Sequence, residues 1–126
     1  MITVEQVDYV LAGCPNTPTR VLDRLARAPE CRVRKQAAEN PCTSSDALMR
    51  LAADWNVGVV AAAALNPSLP RQILEALTKH DSLEVRYAIA EGPGVPMAIL
   101  LRLADDENPY ISHRAMQTIC EQTINS

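Results

Sequence analysis

The fold class the sequence predicts is all-α, a solenoid of about four two-helix units, and three observations carry it. First, the chain repeats itself every 26 residues with no insertion or deletion. Proline recurs at Pro15, Pro41, Pro67 and Pro93, and alanine at Ala12, Ala38, Ala64 and Ala90. Leucine recurs in two columns, Leu22/Leu48/Leu74/Leu100 and Leu25/Leu51/Leu77/Leu103, and a fifth column runs Val7, Val33, Val59, Val85, Ile111. A fixed period of this length is the signature of stacked structural repeats. Second, apolar residues sit at i, i+1 and i+4 in the segment after the proline (Val21, Leu22, Leu25 and equivalents). That spacing suits a helix and not a strand. Third, the proline splits each unit into two segments shorter than the ~12 residues an isolated helix needs, so stacking must supply the burial.

The elements follow in order. The segments before the proline, here A, are expected near 4–13, 31–39, 57–65, 83–91 and 110–120, and the segments after it, B, near 18–27, 44–53, 70–79 and 96–104. Residues 1–126 read as a single helical-repeat domain. Thr3 begins the first A helix, with Gln6 three residues on as a capping box. Asn56, Ser82 and Asn108 precede three of the others, and Pro109 follows Asn108 at the first helical position. Asn40-Pro41 and Asn66-Pro67 end A helices, because the residue before proline is pushed out of the α region. Pro18, Pro70 and Pro96 open B helices, where a missing N–H is harmless. Thr17 and Thr43 stand before that column as expected N-caps. The expected core is the valine column with both leucine columns, and the alanines mark close helix approach.

Composition narrows the function classes. The chain has no phenylalanine, one tryptophan and three tyrosines, so its core is aliphatic. Twelve basic and fifteen acidic side chains leave a net charge of -3, which points to neither nucleic acid nor membrane. No apolar run approaches the ~20 residues of a bilayer span, and the N-terminal stretch has no basic region of the signal-peptide kind. Cys14, Cys31, Cys42 and Cys120 show no CxxC spacing, so a cytoplasmic protein with reduced thiols is expected. No catalytic constellation is visible. His80 falls in a turn and His113 on a distant A helix, EGPGVP is a proline-broken turn and not a phosphate loop, and Asp105–Glu107 is a solvated helix end. The expectation is a protein that is not an enzyme and holds no metal or cofactor.

The segments VRKQAAENPCTSSDALMRLAAD and VRYAIAEGPGVPMAILLRLADD carry a Val-Arg…Ala-x-Asn-Pro…Leu-x-x-Leu-Ala-x-Asp pattern, with Gly92 in place of the asparagine in the second. The unit is too short for ankyrin, tetratricopeptide or HEAT repeats, and an ordinary leucine-rich repeat would place a further leucine where Arg27, Ala53, Lys79 and Asp105 stand. The pattern resembles the leucine-rich repeat variant (LRV) family, whose short helical repeats are HEAT-like, over nearly the whole chain. The resemblance implies a right-handed superhelix of alternating α and short 3₁₀ helices, with the A segments partly 3₁₀, and no enzymatic activity. One family member carries an iron–sulfur cluster in a cysteine-rich N-terminal region. That feature does not transfer, because a cluster needs converging thiolates and these cysteines lie on different turns.

The columns also single out a candidate site. The third unit, WNVGVVAAAALNP, has no charged residue. Val60 stands in the column of Arg34 and Arg86, Leu65 in that of Glu39 and Glu91, and Trp55 in that of Asp81 and Glu107. Val57, Ala61 and Leu65 share one stripe at i, i+4, i+8. Ala61 lies between Lys35 and Tyr87 in its column and should leave a notch with an apolar floor. Trp55, Val57, Val60, Ala61, Leu65, Lys35 and Tyr87 are therefore expected to form a surface that binds an unidentified protein or peptide, or a second copy as a homodimer. The competing expectation is structural, with the N-terminal segment, the C-terminal tail or a twist of the stack covering these residues. The alternative site is a basic face, Arg20, Arg24 and Arg27 continued by Arg50 and Arg102, able to grip phosphates or an acidic partner. No aromatic residue interleaves with it, and Asp23 and Asp46 dilute it, so nucleic acid ranks below protein as a partner.

Overall fold

The computed structural model describes residues 1–125, and these residues form helices and turns only. Five A helices, α1 (Val4–Gly13), α3 (Cys31–Glu39), α5 (Val57–Ala64), α7 (Leu83–Glu91) and α9 (Pro109–Ile124), alternate with four B helices. The B helices are α2 (Thr19–Leu25), α4 (Ser45–Leu51), α6 (Arg71–Leu77) and α8 (Met97–Ala104). Each A helix packs on the next, α1 on α3, α3 on α5, α5 on α7 and α7 on α9. All are α-helical, which differs from the 3₁₀ character that the resemblance implied. Bonds to the carbonyl three residues back occur at helix ends, from the amides of Val33 and Val59 at the first turn and of Cys14, Asn40, Asn66 and Gly92 at the last.

Both leucine columns and the alanine column are buried, and Val33, Val59, Val85 and Ile111 are at most 1% exposed. Val7 breaks its column at 46% exposed. Val7 lies on α1, which packs on α2 and α3 and has no described helix before it. The start of α1 is the capping box, with Thr3 Oγ1 accepting from the Gln6 amide and Gln6 Oε1 from the Thr3 amide. Asn56 and Asn108 cap α5 and α9 through Oδ1. Ser82 does not cap with its hydroxyl, and its amide instead donates to His80 Nδ1 at 3.0 Å. Thr17 and Thr43 are not N-caps either: both are buried, and their hydroxyls donate back to the carbonyls of Leu11 and Ala37. Leu69 and Val95 fill the same position with buried hydrocarbon, so the column serves the A-to-B corner and not the B-helix start.

Two polar devices tie successive units together. Asn40 Nδ2 donates to the carbonyls of Ala12 (2.8 Å) and Cys14 (2.9 Å), while its Oδ1 accepts from the Cys42 amide (2.9 Å). Asn66 repeats all three bonds one period on, to Ala38, Asn40 and Ser68. The column then changes to Gly92 and Thr118, and the Thr118 hydroxyl reaches the Ala90 carbonyl at 2.6 Å. The second device is a buried ion pair. Arg34 Nε and Nη2 grip both carboxylate oxygens of Asp54, and Nη1 donates to the Ala28 and Pro29 carbonyls. Arg86 does the same with Asp106, His80 and Asp81.

Candidate functional site

The arginine device decides where Val60 goes. Its column belongs to arginines that curl inward, so Val60 is 1% exposed, and the sequence expectation that it faces outward is corrected. The partner column changes with it, from Asp54 and Asp106 to His80. The third unit thus has a valine and a histidine in the two columns where its neighbours have an ion pair. Trp55 does face solvent, at 80% exposed, and the Arg34 guanidinium lies 5.5 Å from its ring centroid. That places Trp55 over the end of the ion pair and away from the Ala61 stripe. Val57 is exposed as well, at the start of α5.

The notch itself lies on the outward face of α5. Two columns that elsewhere carry large side chains hold the smallest ones here. Gly58 replaces Arg32, Glu84 and Tyr110, and Ala61 replaces Lys35, Tyr87 and His113. The two are one helical turn apart and so share a face. A groove of about 460 Å³ results, lined among others by Lys35 and Glu39 of α3, Gly58 and Ala61 of α5, Leu65, and Glu84 of α7. A second groove of about 420 Å³ shares Ala61 and Glu84 and continues past Tyr87 and Glu91 to Tyr110. Leu65 is 44% exposed and leans over Gly92. A Cβ on Gly92 would stand 2.7 Å from Leu65 Cδ2 and 2.6 Å from Val95 Cγ2, so the glycine is there for space and not for an unusual backbone angle.

Of the seven expected residues, Lys35, Ala61 and Leu65 meet in the first groove, and Ala61 and Tyr87 in the second. Trp55 and Val57 line neither, and Val60 lies beneath the surface. Among the described residues, none of 1–8 and none after Ile111 lines either groove. Sequence reasoning passed over Glu39, Glu84, Glu91 and Tyr110. The signal was available in the columns of Gly58 and Leu65, read for what flanks a small residue as well as for what replaces a polar one.

The basic face is dispersed. Arg20, Arg24, Arg27, Arg50 and Arg102 are all exposed, but Arg24 lies 3.9 Å from Asp8 and Arg102 lies 3.8 Å from Glu75. Arg102 also borders a hollow that it shares with Asp105, Asp106 and Glu107. Among the described residues no three His, Cys, Asp or Glu side chains gather as a metal site, and the four cysteines are free. No helix of the described residues is long and apolar enough to cross a membrane. Compared with protein-family models, with curated proteins and with solved structures, the chain matches none.

Proposed function

We propose that this chain is a non-catalytic helical-repeat module, a right-handed superhelical solenoid of the leucine-rich repeat variant kind, that binds a protein or peptide segment along the outward face of its A helices. The reading rests on one observation: an apolar-floored groove at Gly58, Ala61 and Leu65, open to solvent, where the neighbouring units carry long side chains. Rimmed apolar surface of this kind on a water-exposed face is what interfaces are made of. Free thiols fit a reducing, cytoplasmic setting. The test is retention of a native-lysate protein by the immobilised chain beside Leu65→Glu, both first shown to melt alike. A partner held by the wild type and lost by Leu65→Glu supports the groove, and a partner indifferent to it moves the site elsewhere.

A second reading, self-association, is favoured by a different surface. Met1, Ile2, Val4, Val7 and Val10 are all exposed on or just before α1, and Ile2, Val7 and Val10 line one hollow there. The exposed side of α9 is instead mixed, with His113, Gln117 and Glu121 among its residues. A single apolar patch that meets its own copy makes a closed pair and not a filament. Nucleic-acid binding through Arg24, Arg50 and Arg102 is the weaker alternative, because acidic side chains stand beside two of the three.

A further inference from the structure

Six of the fifteen carboxylates hold an arginine, and nine form no ion pair among the described residues; three of those nine lie at the grooves. Glu5, Asp8, Asp54, Glu75, Asp106 and Glu121 each hold an arginine. Glu39, Glu84 and Glu91 are exposed and have no ion-pair partner among the described residues. These three border the two grooves around Ala61, against the single ammonium of Lys35. Carboxylates left free beside apolar surface attract a cation more strongly than fully solvated ones, because the low-dielectric wall weakens screening. Tyr87 and Tyr110 in the second groove add ring faces to which a guanidinium or ammonium can bind.

We infer that the occupant of this surface is a cationic segment of extended chain, with aliphatic side chains seated over Gly58, Ala61 and Leu65 and lysine or arginine side chains on Glu84 and Glu91. The inference rests on the peptide-binding reading above and specifies its ligand. Charge complementarity sets the class: three free carboxylates and one ammonium exclude an acidic segment. Lys35 repels cations at its end of the first groove, so the segment's positive charge concentrates toward α7. Spacing sets the pattern. Neighbouring grooves are one helix apart, roughly 10 Å, and an extended chain covers that distance in about three residues at ~3.3 Å each. Anchors are therefore expected at i and i+3.

The test is selection from a displayed library of random twelve-residue peptides on the whole chain, followed by fluorescence anisotropy of the enriched peptides. Enrichment of lysine or arginine among aliphatic residues is expected. Affinity should fall at least tenfold in Ala61→Tyr, which fills the notch, and at least fivefold in Glu84→Lys and in Glu91→Lys, with the wild-type affinity weakening as salt rises. Ala61→Tyr is compatible with the fold because Tyr9 and Tyr87 occupy the same column; Ala61→Lys, copying Lys35, is the second variant if Ala61→Tyr melts early. Peptides that are neutral or acidic, or whose binding survives both charge reversals while Ala61→Tyr abolishes it, overturn the cationic inference and leave the groove as the site. Cationic peptides that bind Ala61→Tyr and Ala61→Lys as well as wild type overturn the groove itself. A selection that enriches nothing overturns both.

Discussion

Asn66 shows how much a single side chain can carry here. It is 6% exposed and makes three hydrogen bonds, two of them to carbonyls of the preceding unit. Asn66→Ala should cost about 2–4 kcal/mol in urea denaturation, since it strands buried acceptors as well as losing bonds. A cost below about 1 kcal/mol would mean that water replaces the amide fully. Leu77→Ala should cost about 2–5 kcal/mol, the range for truncating a buried leucine, and an unchanged melt would remove Leu77 from the core. Gly92→Ala should cost about 1–3 kcal/mol by overpacking against Leu65 and Val95. Because Leu65 would move, that variant should also weaken whatever binds the first groove.

At the scale of the element, the buried ion pair and its replacement are the informative contrast. Arg34→Val alone leaves the Asp54 carboxylate buried without its partner, and a loss of about 3–5 kcal/mol is expected. Adding Asp54→His reproduces the residues that occupy these two columns one period on, Val60 and His80, and should return most of that loss. A double-mutant cycle measures the recovery; a double variant no more stable than Arg34→Val would show that the third unit tolerates its valine for some other reason. The helices themselves were legible in the sequence, from the i, i+1, i+4 spacing and the prolines. The threonine corner was not. Thr17 and Thr43 precede a proline that opens a helix, the usual place of an N-cap, and only the bend of the chain reveals that their hydroxyls turn back to Leu11 and Ala37.

At the scale of the whole molecule, charge and apolar surface are unevenly shared. The A-helix face carries the two grooves around Ala61 with Glu39, Glu84 and Glu91, whereas most exposed arginines lie on the B helices and their turns. If α1 mediates self-association, Val7→Glu combined with Val10→Glu should shift sedimentation velocity from dimer to monomer at micromolar concentration without lowering the melting temperature. A wild type already monomeric there would remove that reading. Retention of mixed-sequence DNA at low salt is expected to be absent, and retention lost in Arg50→Ala would restore the basic face as a site.

By itself the sequence determined that the chain is all-helical, which columns are buried and where a small residue interrupts large ones. Those are consequences of periodicity, and a period is a property of the string. Two matters were decided only by tertiary structure. Val60 and Val7 sit in columns whose roles depend on what packs over them: an inward-curling arginine makes the first a core position, and the lack of a described helix beyond α1 leaves the second exposed. The groove likewise required α3, α5 and α7 side by side, because Glu39, Glu84 and Leu65 are distant in sequence and meet only across the packed helices. Sequence patterns record which residues are alike, and contact between unlike residues from successive units is a matter of packing.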